Sequence, residues 1–166
     1  MLNLGNIGNR LLHDSPLVPT SPFGAALGES GVSRFERDVL SQPGVKYVFV
    51  CLGINDILFP GFAFTPADEK VSTKDIIADY RQLIARAHKK GIRIIGTTIP
   101  PFENAFFKQP HVEFFTPERE AVRKRSTPGF CRVAHSTQWL ILTHQCAIQP
   151  TRPEYEVIMT RAITCT

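Results

Sequence analysis

The sequence predicts an α/β protein organised around a parallel sheet, and three stretches carry that prediction. Lys46–Leu52, KYVFVCL, is a run of valines and aromatics that reads as a buried strand. An amphipathic segment between Ser72 and Gly91 reads as a helix, and Ile92–Ile99, IRIIGTTI, reads as a second buried strand stopped by Pro100 and Pro101. Strand, helix and strand in this order form a βαβ unit, which requires parallel strands and a right-handed crossover.

At 166 residues, 43% hydrophobic and 20% charged, the chain is long enough for one domain with a core and has the balance of an ordinary globular protein. Its formal charge of +4 and pI near 9.0 would permit a nucleic-acid partner, but the bases sit in short clusters, His88-Lys89-Lys90 and Arg123-Lys124-Arg125. Such clusters are expected at helix ends and on solvated faces, so no nucleic-acid partner is expected. Of the four cysteines, Cys51 falls inside the first buried strand, and Cys131, Cys146 and Cys165 have no paired spacing, so neither a zinc site nor any other metal site is expected. No stretch has the length of a membrane span. The opening residues, MLNLGNIGNRLL, lack the basic start, apolar run and cleavage site of a signal peptide.

Taken in order, Met1–Leu4 is expected to be a short strand, and SRFERDVLSQPG a short helix with Phe35, Val39 and Leu40 turned inward. It leads into the Lys46 strand. In the long helix, Ser72 or Thr73 caps the start, Gly91 closes the end, and Ile76, Ile77, Tyr80, Leu83, Ile84 and Ala87 share one face. After the second strand, PFENAFFKQPHVEFF has the aromatics and prolines of an active-site or packed surface loop. Thr116-Pro117-Glu118-Arg119-Glu120 then starts a helix: threonine caps, proline takes the first helical position, and the acids face the positive end of the dipole. That helix is expected to fail at Ser126-Thr127-Pro128-Gly129. Beyond it lie three of the four cysteines and the single tryptophan, Trp139, with no aspartate at all, so Ser126 marks a boundary; QWLILTH could still form a strand.

The first strand runs straight into Gly53-Ile54-Asn55-Asp56. Consecutive polar residues there stand at the carboxyl end of a strand, the edge at which open α/β sheets bind ligands. GNIGNRLL at Gly5–Leu12 and LGINDI at Leu52–Ile57, together with the spacing of SRFERDVL, PGVKYVFV, the long helix and TIPPFENA, resemble the signature blocks of the SGNH (GDSL-type) esterases and lipases. The resemblance runs from about Met1 to Arg125. It implies a three-layer α/β/α flavodoxin-like sandwich with a parallel sheet, incomplete in this chain, and ester hydrolysis through an acyl-serine without a cofactor. Acyl transfer of this kind needs a nucleophile, a base, an acid that orients the base, and fixed donors for the oxyanion. By the resemblance, the backbone N–H of Gly8 and the side-chain amide of Asn55 are the oxyanion donors, Gly53 turns the chain at the strand end, and Asp56 braces the loop. The implied substrate is a small acyl or acetyl ester, of carbohydrate or lipid.

The family's other catalytic groups are not found. Its nucleophile lies in a Gly-Asp-Ser block upstream of the Gly8 block, where the expectation is that this chain begins too late. Gly28-Glu29-Ser30 echoes that block, but it follows Gly8 in a loop leading to a helix, so Ser30 is not expected to be the nucleophile. The family's acid and base lie in an Asp-x-x-His block. No aspartate here precedes a histidine at that spacing, and His13, His88, His111, His135 and His144 have no recognisable catalytic neighbour.

The tail offers a reason. If the message for Val157–Thr166, VIMTRAITCT, is read from the third base of each codon, Met159-Thr160 forces aspartate and Cys165-Thr166 gives histidine or tyrosine, so that HDPGDNLH becomes readable. The same shift applied to Ala134–Thr143 allows AFDAVVDFD, and just after Arg125 it allows VNAWI. The expected organisation is therefore a partial SGNH domain over residues 1–125 and a frame-shifted, non-native tail over 126–166. Two other classes stay open: a non-catalytic ligand-binding module using the pocket around Gly8 and Asn55, and a basic nucleic-acid-binding module.

Overall fold

In a computed structural model, the chain is described over residues 1–15, 27–62, 65–103, 114–137 and 140–142, the side chains of 129–137 and 140–142 excepted. Helix α1, Gly31–Phe35, runs into a π-helical turn, Glu36–Leu40, which delivers the chain to strand β1, Tyr47–Val50. A short helix α2, Ile54–Leu58, follows, then α3, Thr73–Lys89, strand β2, Arg93–Thr97, helix α4, Pro117–Thr137, and strand β3, Leu140–Leu142.

The expected βαβ unit is present. β1 pairs in parallel with β2, Tyr47 opposite Arg93 and Val50 opposite Gly96, and β2 pairs in parallel with β3. The sheet order is β1-β2-β3. Helix α3 forms for the reasons its sequence gives. The Ser72 hydroxyl accepts from the Asp75 N–H while the Asp75 carboxylate accepts from the Ser72 N–H, a reciprocal cap on both groups. Ile76, Tyr80, Leu83, Ile84 and Ala87 are buried along one stripe, and Ile77 lies half-buried at its margin. Phe35 and Leu40 are buried as expected, with Val39 packed at the edge of the core.

The sheet is covered on one face. Residues alternate between faces along a strand, so Val48 and Val50 turn towards the helices while Tyr47 and Phe49 turn away. Tyr47 is 54% and Phe49 67% exposed. This corrects the expectation for Cys51, which is exposed: two residues beyond Phe49, it continues the uncovered face. The architecture is thus an incomplete α/β fold, with helices α1, α3 and α4 packed together on one side of a small parallel sheet.

Two other expectations differ from the structure. Met1–Leu4 has no strand pairing, and Met1, Leu2 and Leu4 are exposed, because the described residues offer no neighbouring strand to complete a ladder. Helix α4 does not stop at Ser126 but continues through Pro128 to Thr137. The Ser126 hydroxyl donates to the Val122 carbonyl at 2.8 Å and the Thr127 hydroxyl to the Arg123 carbonyl at 3.5 Å, holding the turn before the proline. Proline removes the donor that would reach the Lys124 carbonyl, and Lys124 and Pro128 both lie on the solvent side, where water can replace it. QWLILTH contributes β3 at Leu140–Leu142. Trp139, His111, His144, Cys146, Cys165 and the Val157–Thr166 segment lie outside the described residues.

Candidate active site

The site forms where β1 ends. Tyr80, fully buried, grips that end: its hydroxyl donates to the Leu52 carbonyl at 2.9 Å and accepts from the Leu52 N–H at 3.3 Å. Burial pushes its phenol far above the usual range, so it stays a neutral donor. Gly53 then adopts φ +102°, a conformation that an L side chain rarely takes, and caps α2 so that Asn55 and Asp56 fall in its first turn.

From that turn two side chains reach across to the Gly8 block. The Asn55 amide donates to the Asn9 carbonyl at 2.9 Å. Asp56 is completely buried, and its two carboxylate oxygens accept from the Leu11 N–H at 2.7 Å and the Leu12 N–H at 2.9 Å. Desolvation raises its pKa above the ordinary carboxylate value, and the two N–H bonds pull part of the way back. Asp56 therefore braces the loop by clamping one block to the other.

Gly8 sits in the left-handed region at φ +70°. An added Cβ would come within 2.1 Å of the Leu27 side chain and 3.7 Å of the Phe59 ring, so glycine fits here on conformation and on space. Among the described residues the Gly8 N–H has no hydrogen-bond partner, and the second N–H of the Asn55 amide has none either. The structure thus bonds Asn55 to Asn9, the residue that follows Gly8.

Asn9 and Arg10 hold this turn, and sequence reasoning missed both. Buried Asn9 donates to the carbonyls of Leu27 and Glu29, both at 2.7 Å, and accepts from Arg34. Buried Arg10 bonds Glu69 and the Asp14 carbonyl. The available signal was Asn9-Arg10 directly before Leu11-Leu12, a polar pair abutting apolar residues; among the described residues the buried Arg10 Nε has no partner. The basic cluster also needs correcting. Arg123 is not a solvated surface base: its side chain is 13% exposed, pairs with Glu120 and donates to the Ile99 carbonyl at the end of β2. Arg119 likewise donates to the carbonyls of Pro60 and Phe114, tying together the loops at the strand ends.

Ser30, expected in a loop leading to a helix, is the N-cap of α1. It is 1% exposed, its oxygen accepts from the Ser33 N–H at 3.2 Å, and its own N–H is held by Asp14 at 2.7 Å. The Ser30 N–H in turn keeps the Asp14 carboxyl below the usual range. His13 lines a cavity of about 410 Å³ with Glu69, Asp75 and Asp79, apart from Gly8 and Asn55. Among the described residues no cluster of three or more potential ligands could hold a metal, and no helix is long and apolar enough to cross a membrane.

No protein-family model matches the chain, and no curated protein matches it. Solved structures do. Three variants of Axe2 from Geobacillus stearothermophilus, described as an acetyl-xylooligosaccharide esterase or acetylxylan esterase, align with TM-scores of 0.50, 0.51 and 0.51 at 21%, 20% and 21% identity. The fold is similar to that of these Axe2 structures. The alignment covers 70% of this chain and 52% of each Axe2 chain, so this chain spans about half the length of these relatives. At this identity the likeness is one of fold alone, consistent with the small parallel sheet and the helices packed on it.

Proposed function

We propose that this chain is the oxyanion-binding part of an SGNH-type serine esterase whose whole form cleaves acyl or acetyl esters, and that the chain as given is inactive. The observation that carries the reading is the Asn55 amide, docked on the Asn9 carbonyl at 2.9 Å beside a Gly8 N–H with no partner among the described residues. In the whole enzyme a serine oxygen attacks the ester carbonyl, and the Gly8 and Asn55 N–H groups take up the charge on the resulting tetrahedral oxyanion. The alcohol then leaves with a proton from the base, and water releases the acyl group from the serine. Because the solved relatives act on acetylated xylo-oligosaccharides, an acetylated sugar is the substrate class to try first.

The missing groups fit a single account. Residues 126–166 are read out of frame, the acid and base belong to the shifted frame, and the Gly-Asp-Ser block lies upstream of Met1 in the whole gene. Sequencing the nucleotides from upstream of Met1 to beyond Thr166 tests this directly: the account requires a Gly-Asp-Ser block upstream and an Asp-x-x-His block in the shifted frame. Absence of both overturns it. On a nitrophenyl acetate assay the chain as given should show no turnover, whereas the rebuilt reading frame should hydrolyse the ester. Asn55→Ala in that rebuilt enzyme should lower kcat by about 10²–10³-fold, with KM nearly unchanged.

A further inference from the structure

Arg34 is the charged side chain through which α1 reaches the Gly8 turn. It is 16% exposed, and every arm of its guanidinium is engaged. Nε and one terminal nitrogen donate to the Asn9 side-chain oxygen at 3.2 and 3.1 Å, while the other terminal nitrogen donates to the Leu4 carbonyl at 2.9 Å and the Asp38 carboxylate at 3.0 Å. Leu4 and Asn9 bracket Gly5-Asn6-Ile7-Gly8, so one planar group grips both ends of the turn that carries Gly8. Among the described residues, the bond to Leu4 is the only hydrogen bond from Leu4–Gly8 to a residue beyond Asn3 and Asn9.

The grip passes on to Asn55. Asn9 donates through its amide to the Leu27 and Glu29 carbonyls, accepts Arg34 on its amide oxygen, and accepts the Asn55 amide on its backbone carbonyl at 2.9 Å. Turning the Asn9 amide over would set its NH₂ against the guanidinium and its oxygen against two carbonyls, so Arg34 fixes a single orientation. We infer that Arg34 is a positioning residue for the oxyanion donors, holding through Asn9 and Leu4 the backbone on which Asn55 docks. This rests on the esterase reading above, in which Asn55 donates to the oxyanion. Lysine is no substitute: an ammonium lacks the planar fork that places two N–H groups on Asn9 while a third arm reaches Leu4. Asp38 keeps that fork in place, itself held on its other oxygen by Arg37 at 2.8 Å. Misplacing a reacting group by about 1 Å costs about a hundredfold in rate, so a grip one residue removed from the donors has catalytic consequences.

Two measurements on Arg34→Lys test this. In the chain as given, amide exchange at Asn9, whose N–H is bonded to the Asn6 carbonyl at 3.2 Å, should quicken by about tenfold while exchange within α3 is unchanged. Unchanged exchange at Asn9 overturns the inference, as does equal quickening throughout α3, which marks a general loss of stability. In the rebuilt enzyme, Arg34→Lys should lower kcat by about ten- to a hundredfold with KM nearly unchanged. Combined with Asn55→Ala it should add no more than about threefold to the loss from Asn55→Ala alone, because the grip acts through that amide. A double variant that shows the product of the two losses overturns the inference, since a smaller folded fraction would multiply in that way. Full activity of Arg34→Lys beside an impaired Asn55→Ala overturns this inference alone, whereas full activity of Asn55→Ala overturns the esterase reading and this inference with it.

Discussion

At the scale of single residues, Asp56 decides whether the two halves of the candidate site stay together. Its carboxylate holds two backbone N–H groups from a turn 44 and 45 residues earlier, with no water-exposed surface of its own. In Asp56→Asn the amide oxygen can serve one N–H, while its NH₂ opposes the other and leaves a donor unpaired. The variant should lose about 1–3 kcal/mol of stability, read as a lower urea midpoint with an unchanged slope. The pH dependence has a definite sign. Because the folded pKa is raised, the native state holds the proton more tightly than the unfolded chain. The contribution of Asp56 is therefore full below the ordinary carboxylate pKa and declines as pH climbs to the raised value. Urea midpoints of the two proteins should converge as pH rises through that window; a gap that widens contradicts the assignment.

At the scale of elements, α3 shows how far local signals reach. Its cap, its inward stripe and its closure were all legible in the sequence, because each is a contact within a few residues. Replacing the cap, Ser72→Ala, should cost about 1 kcal/mol, measured by urea or thermal unfolding. The Ser72 N–H and hydroxyl depress the Asp75 carboxyl, so the cap's stabilisation is present above the ordinary carboxylate pKa and is lost as pH falls through the lowered one. The Ser72→Ala penalty should shrink accordingly in acid. Elsewhere the local signals fell short. Gly8 and Asn55 were named from motif order, but the bonds joining their blocks depend on Asn9, Leu11 and Leu12 meeting Asn55 and Asp56 across more than forty residues, which no periodicity encodes. Pro128 and Gly129 promised a helix end, and packing of α4 against α3 together with hydroxyl back-bonding outweighed that propensity.

At the scale of the whole molecule, the open face of the sheet governs behaviour. A parallel sheet is normally buried on both sides, because its crossovers lay helices over each face. Here Tyr47, Phe49 and Cys51 look outward and β1 has no second pairing strand among the described residues, the combination that templates association with other chains. A domain's net stability is only about 5–15 kcal/mol, so an uncovered face and a missing pairing partner remove a large share of it. Expressed alone, the chain should go mainly to the insoluble fraction. What is recovered should bind a hydrophobic dye such as ANS and melt over a broad range. A soluble monomer that melts sharply and ignores the dye would contradict the account. That result would mean that the outer face of the sheet is covered in solution and that the edge of β1 does not govern association.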